Sequence, residues 1–152
     1  TVSCLENTAG GGSTIGRTFE ELADLRGRII EATGEAERIG FCIDTCHAHA
    51  GGYDLSTESS CRVGLGAMVE LLGAEHVRVL HMNDSKGKAG SRLDRHEHIG
   101  MGTIGECGFA AVLRMKDLRG KPMILETPKG VDEAGVVWDT VNMRRLRSLW
   151  KD

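Results

Sequence analysis

One pattern recurs four times in this chain: a short apolar run that stops at a side chain able to bind a metal. The runs are Val2-Ser3-Cys4-Leu5 before Glu6, Phe41-Cys42-Ile43 before Asp44, Val77-Arg78-Val79-Leu80 before His81, and Met123-Ile124-Leu125 before Glu126. Runs this short, separated by longer segments of helical periodicity, read as buried parallel strands alternating with helices. Strand centres roughly 37 to 45 residues apart leave room for a strand, a loop, a helix and a return. The expected fold class is therefore α/β of the (β/α) barrel type, in which the C-terminal strand ends converge on one face. Two glutamates, an aspartate and a histidine meeting there make a hard, oxygen-rich site with one imidazole, suited to Zn²⁺ or Mn²⁺.

Four βα units are half the number that closes a barrel, so two sheet edges would stay open. Either an open sheet is tolerated or another chain supplies the other half. The chain opens on Thr1 and enters a strand almost at once, which points to a fragment or processed chain. The 152 residues are expected to form a single domain. No apolar run approaches the roughly 18 residues that a membrane span needs, so no membrane association is expected. The five cysteines are odd in number and lack CxxC spacing, which favours free thiols in a reducing cytoplasm. Those in or beside strands are expected to behave as small buried hydrophobes. The net charge of −3 gives no sign of a nucleic-acid binder, but two Zn²⁺ ions would take it to +1.

Between the strands, Thr18 and Glu21 form a capping-box signal for a helix that buries Phe19, Leu22, Leu25, Ile29 and Ile30. A second helix is expected over Thr57 to Leu72, with Val63, Ala67, Met68, Leu71 and Leu72 inward and Gly73 ending it. The third, Cys107 to Lys116, presents Phe109, Val112 and Leu113. The last follows Asp132 as N-cap and shows Val137, Val141, Leu146, Leu149 and Trp150.

Three stretches carry further chemistry. Asp44-Thr45-Cys46-His47 sets an acid and an imidazole three residues apart just past a strand, within reach of one metal or two adjacent ones. His81-Met82-Asn83-Asp84 ends another strand, with His81 as ligand and Asn83 and Asp84 suited to supporting hydrogen bonds or loop capping. In the loop Ser91 to Gly105, Asp94 and His96 point the same way if extended, and His98 shares their parity as a competing ligand. Arg92 and Arg95 supply charge suited to phosphate, and Gly100, Gly102 and Gly105 permit a tight path. His49 reads as a solvated loop residue and His76 as a surface residue at the opposite end of the sheet.

Taken together, LENTAG at 5–10, CIDTCHA at 42–48, HMNDSK at 81–86, GSRLDRHEHIGMGTIG at 90–105 and ILET at 124–127 resemble the C-terminal half of bacterial endonuclease IV. That family comprises zinc-dependent apurinic/apyrimidinic endonucleases with a TIM-barrel fold and three zinc ions. The resemblance implies cleavage of DNA 5′ to abasic sites, leaving a 3′-hydroxyl. It implies that Glu6 bridges the first and second metals and that Asp44, His81 and Glu126 complete the second site. His47, Asp94 and His96 would hold the third, so the family pattern prefers His96 over His98. Glu6 and Glu126 become the catalytic carboxylates, and Lys86, Arg92 and Arg95 the DNA contacts. The two histidines that complete the first zinc site belong to strands absent here, so about two Zn²⁺ are expected, with poor cleavage or none by the isolated chain. A sugar isomerase of the related xylose-isomerase-like barrels would use Glu6, Asp44, His81 and Glu126 around one metal and leave Asp94 and His96 without a purpose. A metal-binding half-barrel without catalysis is the remaining alternative.

Overall fold

All four apolar runs fold as strands of one parallel sheet in the computed structural model, which describes residues 1–150. The strands are β1 (Ser3–Glu6), β2 (Ile39–Asp44), β3 (Val77–His81) and, sixth in chain order, β6 (Met123–Ile124), and they lie in the order β1-β2-β3-β6. Direct pairs such as Glu6–Cys42, Asp44–His81 and His81–Ile124 set the register. Because side chains alternate across a sheet, Glu6, Asp44, His81 and Glu126 fall on one face. Leu5, Phe41, Ile43, Leu80 and Met123 fall on the other, where they pack with the helices into a single core. The outer edges of β1 and β6 have no partner strand among the described residues.

The helices are α1 (Phe19–Thr33), α2 (Thr45–Gly51), α3 (Glu58–Leu72), α4 (Gly105–Arg114) and α5 (Trp138–Leu149). Thr18 and Glu21 form the expected capping box on α1, and Gly34 closes that helix at φ 73°. Its apolar face is only half used: Phe19 and Leu22 are buried, whereas Leu25, Ile29 and Ile30 are less deeply placed. On α3 the expected face is rotated. Val63, Ala67 and Leu71 face solvent, and Cys61, Leu65, Met68 and Leu72 form the buried stripe. Helix α4 buries Phe109, Val112 and Leu113 as expected. Asp132 does not cap α5. It folds a turn by accepting hydrogen bonds from Ala134 N and Val136 N, and α5 begins only at Trp138, with Val137 and Trp150 exposed.

A two-stranded antiparallel ladder joins β4 (Asp84–Ser85) to β5 (His96–Glu97) above the sheet. It brings the 86–95 segment back over the C-terminal strand ends. Cys42, Cys46 and Cys61 are buried, but Cys4 and Cys107 are exposed, and all five thiols are free. Cys4 lies on β1, an edge strand of the sheet. No helix among the described residues is long and apolar enough to cross a membrane.

Candidate metal centre

The four strand-end residues converge as their register requires. His81 Nδ1 lies 3.2 Å from Glu6 Oε1, 3.0 Å from Glu126 Oε2 and 3.8 Å from Asp44 Oδ2. One donor atom from each of Glu6, Asp44, His81 and Glu126 falls within 4.8 Å of all the others. Three carboxylates around one imidazole are unfavourable without a cation, and each offers an atom of the type that divalent metals take.

Beside this group stands a second, built from α2 and the returning loop. Asp44 closes β2 and caps α2, its Oδ1 accepting from His47 N at 3.0 Å, so the first turn of α2 aims His47 at the strand ends. His47 Nδ1 donates to the Asn7 carbonyl at 2.9 Å, and His96 Nδ1 donates to the Glu126 carbonyl at 3.1 Å. Each ring is thereby fixed with Nε2 free. Those two Nε2 atoms face each other at 3.4 Å, and Asp94 Oδ1 is 3.2 Å from the first. Two imidazole nitrogens facing one point beside a carboxylate fit a cation, or a proton held between the rings. His47, Asp94 and His96 form a group within 4.8 Å.

Electrostatics agree with that fit. Burial pulls the His47 imidazole down, but the hydrogen bond to Glu6 and the charges of Asp44, Asp94 and Glu6 outweigh it and push it up to about 9. A proton on His47 thus substitutes for the positive charge of a cation. The hydrogen bond from His47 holds Glu6 below the usual carboxylate range despite desolvation. Asp44 is fully buried, and desolvation raises its carboxyl.

A buried polar frame holds these ligands, and sequence reasoning found only part of it. Asn83 donates Nδ2 to Asp44 Oδ2 at 2.6 Å and accepts from Glu126 N at 2.8 Å, tying β2 to the end of β6. Asn7 brackets Asp44, its side chain accepting from Asp44 N at 2.7 Å and donating to Asp44 O at 3.1 Å. Asp84 gathers the glycine loop through Gly100 N at 2.9 Å and through Gly102 N and Ile104 N at 3.0 Å. Glycine is required at 102, where a Cβ would sit against the Ser85 carbonyl and the Asp84 carboxylate.

His98 is turned away from both groups. It is buried, stacks on Trp138 with ring centroids 3.7 Å apart, and accepts from Asn142 Nδ2 through Nδ1. Asn142 also reaches Thr127 Oγ1 and Ile99 N, so His98 and Asn142 brace the loop against α5. Contrary to expectation, His49 is buried rather than solvated. Its Nδ1 accepts from Leu55 N at 3.1 Å and its Nε2 meets Thr103 Oγ1 at 3.2 Å. His76 is half-buried against Arg26 instead of lying free on the surface. Lys86, Arg92 and Arg95 are exposed on the loop that carries Asp94 and His96. Arg92 has φ 55°, and Arg95 Nη1 donates to the Asp94 carbonyl at 2.8 Å.

Parallel strands backed by helices, with carboxylates and imidazoles gathered at the C-terminal strand ends, define a protein of the (β/α)-barrel class with a candidate polynuclear metal centre. The chain belongs to the xylose isomerase-like TIM barrel family, whose profile matches residues 2–146. It is 46% identical over 145 residues to a probable endonuclease 4 from Methanoculleus marisnigri, a match covering 95% of this chain and 49% of that protein. It is 48% identical over 126 residues to an apurinic-apyrimidinic endonuclease of Caenorhabditis elegans, covering 83% of this chain and 31% of that one. The crystal structure of endonuclease IV from Thermus thermophilus superposes with a TM-score of 0.80 at 40% identity, over 97% of this chain and 49% of that chain. The chain thus spans about half the length of the probable endonuclease 4 relatives it matches.

Proposed function

We propose that this chain is the metal-bearing half of a DNA-repair endonuclease that hydrolyses the phosphodiester 5′ to an abasic site and leaves a 3′-hydroxyl. The observation that carries this reading is the pairing of two donor groups in one mouth. A one-metal isomerase has no use for His47, Asp94 and His96, whereas phosphodiester hydrolysis uses clustered cations. Glu6, Asp44, His81 and Glu126 would hold one Zn²⁺ and His47, Asp94 and His96 another. When bound, such ions acidify water and offset phosphate charge.

The chain's own residues supply the rest. Glu6, kept ionised by His47, belongs to the strand-end group, with Oε1 3.2 Å from His81 Nδ1 and 3.3 Å from His47 Nδ1, and would bridge that group's ion to the one the first half of the barrel completes. Glu126 is exposed at the mouth, where it can orient the attacking water and accept its proton. Lys86, Arg92 and Arg95 stand on the overhanging loop as contacts for DNA phosphates. An abasic nucleotide has no base to unstack, so it enters a mouth of this kind at low cost.

Incision of a duplex carrying a single abasic site, with and without added Zn²⁺, tests the reading. The expected result is zinc-dependent cleavage 5′ to the site once the first four βα units are supplied as a second polypeptide, with little cleavage by the chain alone. Lack of incision by the reconstituted pair in zinc would exclude it.

A further inference from the structure

Nine side chains contribute to the candidate donor groups, and two of them are thiols that the oxygen- and nitrogen-rich groups leave unused. Cys42 lies on the same sheet face as Asp44, one layer deeper, and is 4% exposed. Cys46 lies in the first turn of α2, is fully buried, and makes a long contact of 3.7 Å to the Arg95 carbonyl. Donor atoms of Glu6, Cys42 and His81 fall within 4.8 Å of one another, as do those of Asp44, Cys46 and His96. These two triads share no residue. Each contains one carboxylate, one sulfur and one imidazole.

We propose that the mouth has a second coordination mode, in which Glu6–Cys42–His81 and Asp44–Cys46–His96 each take a soft divalent cation such as Cd²⁺. A soft cation gains more from a thiolate than from a carboxylate, while harder ions favour the oxygen-rich grouping. Binding exchanges one S–H bond for one S–metal bond at each triad. The proton leaves to the buffer and no electrons are transferred. The soft mode takes Glu6, Asp44 and His81 from one hard group and His96 from the other, so the two modes exclude each other. This second mode rests on the donors assigned under the proposed function but not on the DNA chemistry, and metal binding rather than incision reports it.

The test is a Cd²⁺ titration of reduced, chelator-stripped chain in a Cys4→Ser, Cys107→Ser background that removes the exposed thiols. Thiolate-to-cadmium charge-transfer absorption should saturate at about two equivalents, one per triad. It should fall by about half in Cys42→Ala or Cys46→Ala and vanish when both are replaced. Cys61→Ala, in the helix core, should leave it unchanged. Excess Cd²⁺ should displace bound Zn²⁺ from the parent but not from the double variant. Cadmium NMR of the parent reports ligand type without relying on core variants. Resonances typical of nitrogen and oxygen donors alone, or a charge-transfer band that survives the double replacement, would overturn the proposal.

Discussion

The Nε2 atoms of His47 and His96 face each other 3.4 Å apart, with Asp94 Oδ1 3.2 Å from one and 3.6 Å from the other. Both rings spend their Nδ1 protons on backbone carbonyls, so neither can turn away without losing a hydrogen bond. Protein purified without chelator should therefore carry about two zincs per chain, one for each donor group. His96→Ala should reduce this to about one. His98→Ala should retain both ions and instead lose its stacking on Trp138, worth about 0.5–1.5 kcal/mol beyond area burial. Elemental analysis with thermal melts separates the two variants. Equal zinc loss in both would show that His98, not the geometry described, decides occupancy.

Asn83 holds Asp44 and Glu126, which close strands that are not sheet neighbours. Asn83→Ala should weaken zinc binding at the strand-end group by about 10–100-fold, the usual effect of removing a partner that orients ligands. Competition against a chromophoric chelator measures it. Affinity within about twofold of the parent would mean that strand register alone places the two carboxylates.

His49 makes a prediction about pH. Desolvation lowers its imidazole below the usual value, and its Nδ1 must stay bare to accept Leu55 N. The unfolded chain therefore takes up a proton that the folded chain refuses as pH falls below about 6.5. Binding more protons when unfolded makes stability rise with pH, so this contribution is complete above about 6.5 and is lost below it. His98, lowered by its own burial, acts with the same sign. His49→Gln should accordingly flatten, without abolishing, the fall in melting temperature of zinc-free protein from about pH 7.5 to 5. An unchanged slope would refute it.

The unpaired edges of β1 and β6 predict how the chain behaves in solution. Val2 is 42% exposed at one edge and Ile124 47% at the other, and an apolar cleft lined by Met123, Leu125, Met143, Leu146 and Trp150 opens beside β6. Unpaired strands and exposed apolar surface favour association. Light scattering should show concentration-dependent oligomers that become a single heterodimer when the first four βα units are added. A monodisperse monomer at all concentrations would contradict it.

Much of this is legible in the chain because parallel strands have a simple signature. Each apolar run identifies its strand, and the residue that ends the run marks the face where the donors meet. The helix of His47 is not legible. Reading Asp44 as a ligand conceals its role as the N-cap of α2. Without α2, nothing indicates that His49, two residues after His47, turns into the core. The phase of α3 escapes sequence reasoning because apolar residues lie on more than one of its sides, and only packing against α1 and α4 selects the Cys61–Leu65–Met68–Leu72 stripe. Asp132 has the chemistry of a helix cap but folds a turn instead, since an Asx-type turn and a helix N-terminus ask for the same side chain.

Strand register also determines which sequence changes this fold can survive. On the face that carries Glu6, Asp44, His81 and Glu126, the residues two positions earlier are Cys4, Cys42, Val79 and Ile124. A one-residue slip would turn core side chains outward and unfold the strand. A two-residue slip keeps every core residue facing inward and replaces a ligand with a thiol or an aliphatic chain. Length changes of two within a strand would thus give folded descendants whose oxygen and nitrogen donors are lost at that strand end. Changes in the return loops, which enter at the opposite end of the sheet, would leave the donors where they stand.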